Sequence, residues 1–109
     1  MARRDPQRLE DIVIACTTIE DYLARDDLDD GVLFDAIRMR LIEIGEAVKA
    51  LSPTTLALDP TAGWSDAAKT RDIVAHRYFD TVHGAVFESA RNGVPHLRRS
   101  VERIISEHF

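Results

Sequence analysis

The sequence predicts an all-α protein, a four- to five-helix up-and-down bundle made by a single domain over residues 1–109. Three observations lead there. Apolar residues recur at intervals of three and four through long stretches, the period of a helix with one buried face. No stretch alternates convincingly at period two, so no strand is expected. The helical stretches are separated by acidic, proline- or glycine-containing segments. A chain of 109 residues supports one modest core, and a second copy would add to its stability.

Taken in order, Asp5-Pro6 is a helix-start signal, with aspartate as cap and proline in the first turn. Leu9, Ile12, Val13, Cys16, Ile19 and Leu23 then form one stripe, a helix to about Arg25. The acidic run from Asp26 to Gly31 reads as a solvated connector. A second helix is expected from near Asp30 to about Leu51, with Leu33, Phe34, Ile37, Leu41, Ile44, Val48 and Leu51 on its apolar side. The segment Ser52–Gly63 holds two prolines and a glycine and cannot be one helix. It is long for a connection, which predicts a functional or partner-facing loop near the site. Trp64 packs at the entry of the next helix, with Ser65 as its cap; stacking on a base is the sharper alternative. A short helix over about Thr81–Arg91 buries Val82, Val86, Phe87 and Ala90, and Asn92-Gly93 ends it. Pro95 opens a last helix with Leu97, Val101, Ile104 and Ile105 inside.

Composition narrows the function. The hydrophobic fraction of 45% is that of a globular chain. The one cysteine, Cys16, permits no intrachain disulfide and lies on an apolar helix face, where it reads as core. No apolar run approaches signal-peptide or membrane-span length, so a cytoplasmic protein with no membrane partner is expected. The net charge of −5 argues against coating nucleic acid non-specifically. The charge is uneven, however. Acid gathers at Glu20, Asp21, Asp26, Asp27, Asp29 and Asp30, and base at Arg38, Arg40, Arg71, Arg77, Arg91, Arg98, Arg99 and Arg103. A local basic pocket acting on nucleic acid at one site is compatible with that pattern.

Chemistry concentrates in Arg71-Asp72-Ile73-Val74-Ala75-His76-Arg77-Tyr78. Four groups there can act on a phosphodiester: an arginine, an aspartate, a histidine and a phenol. Asp72 and His76 are four apart and share a helix face, as do Arg71 and Tyr78 at seven. Arg71 and His76, five apart, fall well over a quarter-turn out of register. Either the helix ends or distorts between them, or the two residues meet partners from a second copy. A two-fold dimer with this run at its axis would hold two histidines and two arginines in one cleft. One His76 would take the proton from a ribose 2′-hydroxyl while its mate protonates the leaving 5′-oxygen. Arg71 would hold the non-bridging oxygens as charge grows, and Asp72 would orient the imidazole. Arg38, Arg40 and Arg77 are further candidate RNA contacts, with solvated surface arginines as the alternative for Arg38 and Arg40. The whole run also fits an ordinary solvated helix face with an Asp–His contact. His76 and His83 have no carboxylate or cysteine at ligand spacing, so neither a metal site nor a cofactor is expected.

Arg71, four residues, His76, one residue, Tyr78 is the hallmark of the HEPN superfamily, and the sequence resembles its HepT-like toxins. Ile44-Gly45-Glu46-Ala47, Trp64 ahead of the motif and Val94-Pro95 opening the last helix match the same pattern, over roughly Arg8 to Ile105. Asp72 departs from the asparagine most close relatives carry there. The resemblance implies a HEPN-like all-α homodimer that cleaves RNA without metal at a composite interface site, as the toxin of a toxin–antitoxin pair. It makes Arg71 and His76 catalytic, with Asp72 supporting them. It also implies a minimal nucleotidyltransferase antitoxin of the MntA type, which transfers AMP to Tyr78 and silences the toxin. The alternative is a catalytically weak regulatory partner of that nucleotidyltransferase, and the plainest reading of all is a helical scaffold.

Overall fold

The structure is a computed structural model that describes residues 4–75 and 79–109, with side chains for all of these except 79–81. Helices are its only regular elements among the described residues: α1 (Asp5–Ala24), α2 (Asp30–Ala50), the single turn α3 (Pro53–Leu56), α4 (Trp64–Ala75), α5 (Phe79–Glu88) and α6 (Val94–His108). A π-helical turn, Ser89–Gly93, joins α5 to α6.

Local chemistry accounts for the helix starts. Asp29 caps α2 by accepting from the Val32 amide at 2.9 Å. At α1 the cap falls one residue earlier than expected, on Arg4, whose amide is satisfied by the Gln7 side chain at 2.8 Å. Asp5 is thereby freed for a longer reach. Its Oδ2 accepts from the Ser52 hydroxyl at 2.6 Å, the Ser52 amide at 3.2 Å and the Thr55 hydroxyl at 2.6 Å. One carboxylate thus ties the start of α1 to α3, with Thr55 buried beneath it. These hydrogen bonds, and the bond from Trp64 Nε1 to the Leu56 carbonyl at 3.0 Å, order the Ser52–Gly63 segment. Trp64 is partly buried and packs against the core, as expected at this helix entry. α4 begins at Trp64 itself, directly after Gly63 at φ 90°, and Ser65 is inside the helix.

The expected stripes are the core. Leu9, Ile12, Cys16 and Ile19 from α1 meet Phe34, Ile37, Leu41, Ile44 and Val48 from α2. Val74, Val82, Val86, Leu97, Val101 and Ile104 complete it. Each such side chain contributes roughly 1.5–3 kcal/mol relative to exposure. α2 is central, packing on α1, α4 and α5, while α6 lies against α1. His83 docks α5 on the start of α2: its Nε2 is 2.9 Å from Asp30 Oδ2, and its ring stacks on Phe34 at 6.0 Å.

One expectation fails here. Asn92-Gly93 does not end a helix; the chain stays helical from α5 through to α6. Pro95 cannot donate to the carbonyl four residues back and its ring crowds that carbonyl. The π turn absorbs the conflict, with the Val94 amide bonding Ser89 O five residues back.

Candidate functional site

Arg71 sits on α4 where that helix comes nearest α2. A Cβ added at Gly45 would lie 2.1 Å from Arg71 Cβ, 2.6 Å from its Cγ and 3.2 Å from the Ala67 carbonyl. Only a residue without a side chain lets the two helices meet there. The next residue of α2, Glu46, then reaches the guanidinium, with Oε1 2.7 Å from Arg71 Nη2. Nη1 lies 3.3 Å from Asp72 Oδ1, and Lys49 of α2 closes the chain of charges on that same Asp72 oxygen. Arg71 Nε is buried and has no hydrogen-bond partner among the described residues.

The charges follow from these contacts. The hydrogen bond to Glu46, and then the one to Asp72, raises the Arg71 pKa. The Lys49 ammonium, aided by Arg71, holds the Asp72 carboxyl below the usual carboxylate value. Asp72 is therefore ionised near neutrality, and its charge is shared between two cations. Lys49 was not singled out in the sequence, and Glu46 entered only as part of the Ile44-Gly45-Glu46-Ala47 run, without a role. Their spacing of three on the exposed side of α2 was the signal that could have marked them.

Arg38 reaches across to the backbone of α4. From α2 its Nε donates to the Val74 carbonyl at 2.6 Å and its Nη2 to the Ala75 carbonyl at 3.4 Å, at the last two residues of α4. Arg40 Nη1 pairs with both Glu43 oxygens, at 3.1 and 3.0 Å. Arg91, Arg98 and Arg103, expected to contribute to a basic pocket, are engaged elsewhere. Arg98 bonds Glu20 at 2.7 Å and Glu102, Arg103 lies 3.6 Å from Asp59, and Arg91 rests 5.1 Å from the centre of the Phe87 ring. Each is drawn to a nearby acid or ring along α5, α6 and their neighbours. His76, Arg77 and Tyr78 lie outside the described residues.

The Ser52–Gly63 segment leads into the start of α4, about 17 Å along that helix from Ala75 at 1.5 Å per residue, and hydrogen-bonds α1, α4 and α6. A cavity of about 90 Å3 between α2, α4 and the π turn has neither Arg38, Arg71 nor Asp72 in its walls. Among the described residues no cluster of His, Cys, Asp and Glu is arranged to hold a metal ion, and no helix is long and apolar enough to cross a membrane.

The family model described as Ribonuclease HepT-like matches residues 9–104. The chain belongs to the HepT-like ribonuclease family, within the HEPN superfamily. A protein of Thermococcus cleftensis named probable ribonuclease HepT is 29% identical over 108 residues, covering 95% of this HepT-like chain and 98% of its own length. A putative RNase of Methanocaldococcus jannaschii is 28% identical over 112 residues, covering 98% of this chain and 97% of its own. A longer protein of the same organism, named gamma-glutamylcyclotransferase and putative RNase, is 29% identical over 103 residues. That match takes in 91% of this chain but only 46% of the relative. No solved structure matches.

Proposed function

We propose that the protein is a metal-independent endoribonuclease toxin, acting as a homodimer at a composite site that contains Arg71 and His76. The observation that carries this reading is Arg71: the closest approach of two helices is built around its stem, and its fork is held at the surface with all its described partners acidic. Membership of the HepT-like family supports the substrate class.

In the proposed reaction the ribose 2′-oxygen attacks phosphorus and the 5′-oxygen leaves. One His76 removes the 2′ proton and the other supplies the proton to the departing 5′-oxygen, leaving a 2′,3′-cyclic phosphate and a 5′-hydroxyl. Arg71 exchanges Glu46 for the non-bridging oxygens as they gain charge. Asp72, already compensated by Lys49, adds little net negative charge against the phosphate. Silencing proceeds by attack of the Tyr78 oxygen on the α-phosphorus of ATP, with pyrophosphate leaving. The tyrosyl-AMP puts bulk and a negative charge beside Arg71. The cognate minimal nucleotidyltransferase is the proposed partner in that step.

The test is cleavage of several RNAs by the purified protein in EDTA, with intact mass recorded to establish that Tyr78 is unmodified. Cutting that is lost in His76→Ala and reduced at least a hundredfold in Arg71→Ala is the expected result, an approximate scale set by removal of a group that stabilises transition-state charge. If unmodified wild-type protein cuts none of them, the second reading, a regulatory partner of a nucleotidyltransferase, takes its place. An aspartate at position 72, where the resemblance expects asparagine, and the net charge of −5 favour that alternative.

A further inference from the structure

Two consecutive backbone carbonyls of α4, Val74 O and Ala75 O, are gripped by a single guanidinium, that of Arg38 from α2. The grip spans 36 residues and is partly buried, at 2.6 Å for the shorter bond. Arginine suits this task because its planar fork offers two donors in fixed directions, whereas an ammonium is a point charge on a flexible stem. The next residue in the chain is His76.

We propose that Arg38 is a positioning residue of the site, holding the two α4 peptide groups that directly precede His76 in a set place relative to Arg71. This rests on the ribonuclease reading for its catalytic consequence. α2 then holds this stretch of α4 at two points. Gly45 sets how closely α2 approaches Arg71, and Arg38, seven residues earlier on α2, holds the peptide groups that precede His76. Seven residues are two turns, so both act from one face of α2. Two of the guanidinium's donors are thereby committed to backbone, which separates this role from that of an RNA phosphate contact. A small displacement of a catalytic group is costly, on the order of a hundredfold in rate for about 1 Å.

The experiment compares full-length wild type, Arg38→Ala and Arg38→Lys in RNA cleavage, with kcat and KM separated, and in amide hydrogen exchange resolved by peptide. For Arg38→Ala the expectation is a fall in kcat of about tenfold or more with KM within about twofold, because positioning and not substrate binding is lost. Exchange should rise in the peptide covering residues 72–80 and stay as in wild type in α1 and α6. Arg38→Lys, able to charge-bond one carbonyl, should fall between the two, and it carries the test if Arg38→Ala does not fold. A raised KM with unchanged kcat and unchanged exchange at 72–80 would overturn the proposal in favour of a phosphate contact. Faster exchange throughout the chain would overturn it in favour of general stabilisation. If wild-type protein cuts no RNA, the ribonuclease reading fails alone. Exchange at 72–80 then decides whether Arg38 holds the Val74–Ala75 stretch of α4, and equal protection in all three proteins sinks it.

Discussion

Asp5 shows how much one side chain can organise. Its carboxylate accepts from both Ser52 groups and from Thr55, and those bonds, Ser52 first, hold its pKa below the ordinary 3.8. A carboxyl with a lowered folded-state value stabilises the fold above its unfolded value, and the gain is lost as pH falls through the lowered one. Asp5→Ala should therefore cost about 2 kcal/mol at pH 7, as expected for losing hydrogen bonds to a charged acceptor. Denaturant titrations of the two proteins at pH 7 and below pH 3 provide the check. The difference should shrink in acid, and a difference independent of pH would show that the carboxylate is not the source. None of this was legible in the sequence. Asp5-Pro6 reads locally as a cap, and nothing near it says that the oxygen is used 47 residues away. Arg71 was legible, because its spacing to His76 and Tyr78 is a local pattern. The partners that hold it, Glu46 and Lys49, come from a helix whose approach only the fold reveals.

Between elements, the contact of α2 with α4 sets the geometry of the site. Gly45 is its closest point, and even one methyl there would overlap Arg71 Cβ and press on the Ala67 carbonyl. The obstructing atoms are the root of a side chain and a helix backbone, which cannot swing aside. Gly45→Ala gains helix propensity, about 1 kcal/mol, but overpacking of this kind costs about 1–3 kcal/mol, and the overlap here is severe. Net destabilisation by about 1–2 kcal/mol is expected, read as a lower thermal midpoint, together with slower RNA cleavage from what remains folded. A midpoint equal to or above wild type would mean that the helices separate freely, and Gly45 would lose its structural role. Helical stripes were readable because burial repeats every three or four residues and needs no knowledge of partners. The α5-to-α6 junction was misread although the same stripe ran through it. Val86, Ala90, Val94, Leu97, Val101 and Ile104 are spaced by threes and fours without a break, and all are buried. The local stop signals Asn92-Gly93 and Pro95 argued for an end, and core packing overrode them through a π turn.

At the scale of the whole molecule, the proposed chemistry demands two copies. Arg71 and His76 are five residues apart, a spacing that a regular helix turns well away from a common target. Two histidines with opposite protonation states, one base and one acid, are supplied most simply by symmetry. Mixing active and inactive subunits tests this directly. Wild type and His76→Ala, distinguished by tags and equilibrated at equal concentrations, give about one quarter wild-type dimers and one half mixed ones if exchange is random. A site that requires both histidines leaves only the wild-type dimers fully active. Cleavage should then fall to about half of what the same wild-type protein gives when unmixed, and purified mixed dimers should be nearly inactive. If each chain works alone, mixing leaves the total cleavage of the wild-type subunits unchanged, and mixed dimers run at half the rate. Mass measurement by light scattering accompanies the assay, since a monomer at tens of micromolar would remove the basis for a shared cleft. Mixed dimers made with Arg71→Ala separate the two roles further. Every mixed dimer keeps both histidines and one guanidinium, so partial activity there beside near-inactivity of the His76→Ala mixture would assign proton transfer to the pair and charge stabilisation to either arginine.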